Sequence, residues 1–409
     1  MLGTCMKPVL SIINWALSWV SGIISSAIQL LYSIINYILS RPDDYIPFLW
    51  PIINFLNHVP IINIIVHLIF WRPIFDLLFV PGLVSVLIAL IFIIWFERKL
   101  TAKVQWRIGP LEVSRPIGGF LQPFADLFRY MFQEFVVPLQ ADKNYFIHGP
   151  AIVFILSTLP IFFIPIGPKQ FTLPNGTTIE GIYGIYTGYD VLIAIALITL
   201  FNIGIILIGW ASNDRFTYIG TVREALLYTG YEAILILSVV AILLIYGTAD
   251  PFKIVNWQVT HLPGIIANPL AFLAFLIATL MATSRFPFEI PEADTEIVLG
   301  PYTEYSGIVY GLVMTMSYEK LYVLSLLMVL LFLDGWAGPY IPYFGALSPA
   351  IWFGIKTYIV MMIMVFTRSV YGRYRPDQAL KMSWSSLLGL VIAALVLSLI
   401  IDLLIIKPL

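Results

Sequence analysis

Residues 189–210 read YDVLIAIALITLFNIGIILIGW, and residues 225–247 read ALLYTGYEAILILSVVAILLIYG. Each stretch is long and apolar enough to cross a bilayer as a helix, because a helical span needs about 20 apolar residues. The short segment between them is polar and carries Asp214, Arg215 and Arg223. This pattern predicts two membrane spans.

The whole composition agrees with a membrane protein. Of the 409 residues, 60% are hydrophobic and 11% are charged, whereas an average soluble protein has about 25% charged residues. The net charge of −1 gives no field that would favour nucleic acid. The single cysteine, Cys5, excludes a disulfide framework and a cysteine-ligated iron–sulfur cluster. We therefore expect no metal site and no catalytic redox centre on this chain.

The predicted fold is an all-α polytopic membrane protein with eight core transmembrane helices. An amphipathic helix at the interface and one or two extra N-terminal helices, within 8–40 and 46–70, complete it. The apolar run 8–40 is longer than a signal peptide requires, so we expect it to be retained. The predicted domains are an N-terminal extension, 1–72, and a membrane domain, 73–409. The core spans are predicted near 73–96, 147–168, 189–210, 225–247, 266–283, 306–333, 349–367 and 385–406.

The polar stretch 98–146 contains the predicted interfacial helix. Apolar residues recur at helical spacing between Ile117 and Phe135, and Asp126, Arg129 and Glu134 lie on the other side. Such a helix either lies at the membrane interface with its apolar face toward lipid or a lipid-like ligand, or simply packs on the spans.

The basic residues predict the orientation. One set of core loops holds fourteen Lys and Arg residues, and the opposite set with the C-terminal tail holds three. By the positive-inside rule the first set faces the cytoplasm of a cell whose plasma membrane the chain spans. The first set is Arg98, Lys99, Lys103, Arg107, Arg115, Arg129, Lys143, Arg215, Arg223, Arg285, Arg368, Arg373, Arg375 and Lys381; the second is Lys169, Lys253 and Lys407.

Four ionisable residues lie well inside predicted spans: Glu232, Glu319, Lys320 and Lys356. Glu232, Glu319 and Lys356 each occupy a position where a charge costs several kcal/mol unless it serves a pathway. They are therefore candidates for a proton pathway.

The densest polar feature is the loop 285–307, which reads RFPFEIPEADTEIVLGPYTEYSG. Some of its five carboxylates are predicted to hold protons near neutral pH, because closely spaced acids in a site of low dielectric constant cannot all ionise. A solvated acidic loop is the alternative, but it does not explain the interleaved apolar residues. The five acids are Glu289, Glu292, Asp294, Glu296 and Glu304.

Six blocks of sequence, in order, resemble the H subunit (subunit 1) of respiratory complex I, the NADH-quinone oxidoreductase-type family. The resemblance covers roughly residues 73–406. The blocks are ERKLTAKVQWRIGP at 97–110, LQPFAD at 121–126, GWASN at 209–213 with Arg223 and Tyr231-Glu232, the acidic loop from Pro287 to Gly307, GWAGP at 335–339, and Trp352-Phe353 with Lys356-Thr357, Arg368 and Asp377-Gln378.

This resemblance implies a membrane subunit that forms a quinone chamber with soluble neighbours and couples quinone reduction to proton translocation. Quinone would be a diffusible substrate, and iron–sulfur clusters would lie only on partner subunits. Antiporter-like membrane subunits would be further partners. By match, Gln105, Arg107, Phe124 and Asp126 would line the chamber or its entrance. The pathway would comprise Glu232, Glu289, Glu292, Asp294, Glu296, Glu304, Glu319 and Lys356.

The sequence departs from the family pattern at several positions. The family places a Glu where this chain has Ser317, two residues before Glu319, and two residues correspond to about 200° around a helix. Leu227 replaces a Gln, and Glu224 is an additional acid. The N-terminal extension has no counterpart in the family pattern.

Two other functions remain open at this stage. The membrane subunit of an energy-converting hydrogenase shares the acidic loop, although the GWASN block and the C-terminal Arg and Asp-Gln block favour the quinone enzyme. A stand-alone ion transporter would show internal repeats with interrupted helices, a pattern that the sequence does not have.

Overall fold

The computed structural model describes residues 82–172, 178–180, 183–341 and 347–403. The predicted N-terminal helices within 8–40 and 46–70 lie outside these residues. The helices of the described part are α1 Leu83–Val104, α2 Gln122–Phe132, α3 Lys143–Thr158, α4 Asp190–Ala211, α5 Arg215–Tyr246, α6 Pro251–Thr260, α7 Gly264–Ala267, α8 Pro269–Ala282, α9 Asp294–Ile297, α10 Gly307–Phe332, α11 Ser348–Val370, α12 Pro376–Met382 and α13 Leu388–Ile401.

Six helical segments of the described chain are long and apolar enough to cross a membrane. They confirm a multi-pass helical membrane protein. The other two predicted core spans fall on α1, which carries Glu97, Arg98 and Lys99 in its C-terminal third, and on α8, which has only 14 residues. The six segments are Lys143–Phe163, Asp190–Ala211, Arg215–Tyr246, Gly307–Phe332, Ser348–Val370 and Pro376–Ile401.

Local signals in the sequence explain where these helices begin and end. The side chain of Asp214 accepts a hydrogen bond from the Phe216 amide at 2.9 Å and so caps α5. The same helix ends at Gly247, which adopts the left-handed conformation (φ +65°) that glycine tolerates best. The Asn268 side chain caps α8 by accepting from the Ala271 amide at 2.9 Å.

The helices pack around α10. Its apolar window is 83% buried, compared with 22% for the segment that contains α13, so α10 is the central helix and α13 lies at the perimeter. The long helix α5 packs against α4, α8 and α13. A small antiparallel ribbon, Gln170–Thr172 paired with Thr178–Glu180, lies between α3 and α4 and is a minor departure from the all-α prediction.

The predicted amphipathic helix between 117 and 135 is shorter in the structure. It follows a 3₁₀ turn, Glu112–Ile117, and two glycines with positive φ angles, and it forms α2 only from Gln122 to Phe132. Its Phe128 and Phe132 side chains are exposed, whereas Tyr130 packs on Tyr310 of α10. One edge of α2 therefore contacts the bundle and another is free for lipid or a partner.

Several loops meet at one end of the bundle, which we call the charged end. It comprises the C-terminal third of α1, the segment 105–142, the acidic loop 285–306 and the segment 371–375. Contacts between distant residues define it: the Asp142 amide donates to the Ala211 carbonyl at 3.0 Å, and the Tyr374 amide donates to the Pro287 carbonyl at 2.8 Å.

Candidate functional site

A buried ion cluster joins three elements at the charged end. Glu97 of α1 is 3% exposed, and Arg285 Nη1 donates to both of its carboxylate oxygens at 2.8 Å. Arg368 of α11 contacts the same carboxylate and also donates to Glu289 Oε1 at 3.2 Å. Because charges without partners are costly in such a site, this cluster fixes α1, the start of the acidic loop and α11 relative to one another.

The first two acids of the loop, Glu289 and Glu292, face the bundle. Burial, reinforced by the negative charges of Glu292 and Asp294, raises the pKa of Glu289 to about 8. Burial also raises the pKa of Glu292 to about 7, although the nearby Arg285 opposes the shift. Both carboxyl groups therefore exchange protons in the neutral range, as a proton relay requires.

Glu296 behaves differently from these two acids. Its Oε2 accepts from Arg223 Nη1 at 2.6 Å and its Oε1 accepts from Arg373 Nη2 at 2.7 Å. The hydrogen bond and charge of Arg223 lower the pKa of Glu296, so this carboxylate stays ionised at neutral pH. It connects the start of α5 to the segment after α11.

A series of polar side chains continues from the acidic loop into the bundle. Glu224 of α5 is 3% exposed, lies within the electrostatic influence of Glu292, and accepts a hydrogen bond from the Tyr231 hydroxyl at 3.2 Å. Lys320 Nζ of α10 donates to that hydroxyl at 3.3 Å and also to Asn202 Oδ1 of α4.

The series ends at Glu232, in the middle of α5. Asn202 Nδ2 donates to Glu232 Oε2 at 3.1 Å, and the Thr199 hydroxyl donates to Glu232 Oε1 at 2.5 Å. Glu232 is 7% exposed and Asn202 is fully buried. The structure thus gives the predicted mid-span acid two polar partners, both from the neighbouring helix α4.

Two other predicted pathway residues lie apart from this series. Glu319 is fully buried on α10, but its described contact is with Ser157 of α3, and its Oε1 has no hydrogen-bond partner among the described residues. Lys356 Nζ donates to the carbonyls of Leu333, Gly335 and Ala337 at 2.8 to 3.1 Å. That ammonium satisfies carbonyls at the end of α10 farthest from the acidic loop.

The predicted quinone-facing residues lie around two open cavities at the charged end. Gln105 and Arg107 line a cavity of about 420 Å³ together with Glu97 and Arg368, and Arg107 Nε donates to Gln105 Oε1 at 2.7 Å. Arg107 also lines a second cavity of about 700 Å³ with Arg98 and residues 108–112.

The two candidates on α2 differ from each other. Asp126 pairs with Arg98, which lines both cavities, and accepts from Gln122 Nε2 at 3.1 Å. Phe124 is half-buried on the same helix and borders neither cavity.

The remaining acids of the loop are less involved. Asp294 is exposed at the start of α9 and acts on Glu289 and Glu292 through its charge. Glu304 is half-buried before α10, and no described contact joins it to the other acids.

Sequence reasoning missed several members of the site. Glu97, Arg285 and Arg368 looked like charges at the ends of spans, and the clue to their pairing was that opposite charges occur at the same end of different spans. Asn202, Glu224 and Lys320 were visible as single polar residues within apolar helices. Ser317, which stands at the position of the family's Glu, donates to its own helix at the Met314 carbonyl and contributes no charge.

These features define a multi-pass membrane protein in which ionisable groups extend from an open, charged end to the middle of the bundle. The NADH dehydrogenase family matches residues 77–399, and the chain belongs to this family. That match confirms the predicted relation to the H subunit of complex I.

Similar proteins share this assignment. The H subunit of the NADH-quinone oxidoreductase of Dehalococcoides mccartyi strain CBDB1 is 32% identical over 313 residues, 76% of this chain and 82% of that relative. The corresponding H subunit of Aquifex aeolicus is 33% identical over 312 residues, 76% of this chain and 91% of the relative. That of Geobacillus kaustophilus is 32% identical over 305 residues, 75% of this chain and 87% of the relative.

Proposed function

We propose that this chain, a membrane subunit of a complex I-type quinone oxidoreductase, forms part of a quinone chamber at its charged end and passes the resulting protonation changes into the membrane. Quinone is the substrate named for its relatives. The hydrogenase and stand-alone transporter functions have no such support.

The two cavities support the quinone chamber. Each is bordered by apolar side chains, Val104 in one and Leu111 in the other, and by Arg107, and a fixed guanidinium can orient a quinone carbonyl through hydrogen bonds. Both cavities are open, so soluble partner subunits with iron–sulfur clusters would close the chamber and supply electrons. Quinone is a diffusible substrate here, and the exposed aromatic side of α2 provides an apolar route for its tail.

The observation that carries the coupling proposal is the sequence of charged and polar groups from Glu289 and Glu292 through Glu224 and Lys320 to Glu232. Reduction of a quinone to a quinol takes up two protons, which changes the charge of nearby carboxylates. In a site of low dielectric constant, such a change is felt strongly by the next ionisable group. Antiporter-like membrane subunits beside Glu232 would receive it.

We propose an N-terminal extension at 1–72 and a complex I-type membrane domain at 73–409, in the plasma membrane with the charged end in the cytoplasm. The excess of basic residues in the loops of that end supports this orientation.

The substitution Glu232→Gln tests the coupling. We expect an assembled complex in which proton pumping is abolished, because Gln keeps the shape of the side chain but cannot change its charge. Proton uptake and quinone reduction should be measured in vesicles that contain the purified complex. Normal pumping by an assembled variant would remove Glu232 from the pathway.

The substitution Arg107→Ala tests the chamber. Quinone turnover should fall at least fivefold with a higher apparent KM, because both cavities lose one of the arginines that line them. Arg215→Ala is the matched control, since Arg215 is an exposed arginine at the start of α5 that borders neither cavity. Unchanged quinone kinetics in Arg107→Ala, or hydrogen evolution without quinone reduction by the wild-type complex, would contradict the proposal.

A further inference from the structure

The least expected group inside the bundle is Lys320. It is 3% exposed in the central helix α10, and its ammonium group contacts side chains of α4 and α5. Its ammonium group lies 5.5 Å from the ring centre of Phe201 and 5.1 Å from that of Tyr231. Because a buried ammonium group is stable only with compensating partners, the residues around it indicate its role.

Two chains of hydrogen bonds start at the Lys320 ammonium group, and in each chain every group donates to the next one. The Tyr231 hydroxyl accepts from Lys320 and donates to Glu224, whereas the Asn202 amide accepts from Lys320 through Oδ1 and donates to Glu232 through Nδ2. Each acid is thus connected to the ammonium through one neutral side chain, and hydrogen bonds aligned in this way strengthen one another.

The carboxyl groups near the Lys320 ammonium group outnumber it. The carboxyl groups that act on the ammonium are those of Glu224 and Glu232, with Glu292 of the acidic loop as the third. Within the membrane one positive charge therefore faces two acids, which lie eight residues apart on α5. In a site of low dielectric constant, one ammonium group balances one carboxylate, so the second acid is favoured in its neutral form.

We propose that Lys320 is a positioning residue that makes the ionisation of Glu224 and Glu232 mutually exclusive, and so couples the acid next to the loop to the acid in mid-membrane. This inference rests on the proposed function, because it presupposes that the acids relay charge. When Glu224 gains a proton from the loop, the ammonium group is released to stabilise ionised Glu232. When Glu224 loses that proton, the preference reverses.

The test compares Lys320→Met with Lys320→Arg in the assembled complex. Lys320→Met removes the shared charge, so coupled quinone reduction and proton pumping should fall at least tenfold. Lys320→Arg keeps the charge and should recover a measurable part of both. Ser325→Ala is the control, since Ser325 is buried on the same helix and its hydroxyl bonds to its own helix at Leu321.

Infrared spectroscopy separates this role from a merely structural one. Without the ammonium group, both acids should be protonated, so Lys320→Met should gain intensity in the carbonyl stretch of protonated carboxyl groups at neutral pH. The added Glu232→Gln substitution should return that intensity to about the wild-type level, because only Glu224 then remains as a protonated acid. A spectrum identical to wild type would overturn the proposal.

Two milder variants keep the test decisive if Lys320→Met does not assemble. Tyr231→Phe interrupts only the connection to Glu224, and Asn202→Leu interrupts only the connection to Glu232. Each should reduce pumping while leaving the other connection intact, and wild-type pumping in both would overturn the role of Lys320.

Glu292→Gln, measured in parallel, distinguishes a failure of the inference about Lys320 from a failure of the proposed proton pathway. If Glu292→Gln loses coupled turnover while an assembled Lys320→Met keeps it, the inference about Lys320 fails and the proposed pathway stands. If both variants pump normally, the proposed pathway fails as well.

Discussion

Glu292 and Glu296 lie four residues apart in one loop, yet the fold gives them opposite properties. Glu292 faces the bundle, where burial raises its pKa to about 7. Glu296 is exposed and held by two arginines, and the hydrogen bond from Arg223 lowers its pKa. The first can exchange a proton at neutral pH, whereas the second is an anion at neutral pH.

This difference shows that a run of carboxylates is not one functional unit. Glu289 and Glu292, which we call the inner acids, have the properties of a proton relay. Glu296 connects α5 to the segment after α11, and Glu97 makes a similar connection with Arg285 and Arg368 in a buried setting. The number of arginines that contact each acid separates the two roles.

The largest effect is expected when the buried contact of Glu97 with its two arginines is broken. Glu97→Gln leaves Arg285 and Arg368 without their shared carboxylate, and removing one partner of a buried ion pair costs about 3–5 kcal/mol. Thermal unfolding of the purified complex, followed on this chain, should show the loss. A stability equal to wild type would mean that the arginines find other partners and that the cluster does not hold the loop.

A smaller effect is expected at Glu296. Glu296→Gln removes an exposed pair of contacts, so the loss in stability should be less than about 1 kcal/mol and pumping should continue. The pH dependence has a defined sign: because the pKa of Glu296 is lowered from 4.5, its contribution is present at neutral pH and disappears as the pH falls through the folded value. Loss of pumping in Glu296→Gln would place this acid in the proton relay, and Glu296 would then not differ in role from the inner acids.

The membrane helices were largely predictable because apolar length alone determines them. The span predicted at 189–210 is the helix Asp190–Ala211. The errors have local causes. The span predicted at 266–283 begins only at Pro269, where the ring removes a backbone donor and Asn268 caps a new helix. Helix α1 continues past residue 96 to Val104, because its charged residues pair at the charged end instead of terminating it.

The site was only partly predictable. The sequence showed Glu232 and the acidic loop, and hydropathy placed them at mid-span and at a loop. It did not show that Glu292 points inward whereas Glu296 points outward. Helix α9 begins only at Asp294, so Glu292 and Glu296 do not belong to one helix and helical spacing does not relate them. Nor could spacing show that Asn202, Tyr231 and Lys320, from three different helices, meet around one ammonium group.

The central claim is that the inner acids hold protons at neutral pH, and infrared difference spectroscopy of the intact complex tests it most directly. The spectrum of wild type minus Glu292→Gln should show the carbonyl stretch of a protonated carboxyl group at about pH 6, and this band should disappear with a midpoint of about 7 as the pH rises. A band that has already disappeared with a midpoint near the ordinary value of 4.5 would contradict the account.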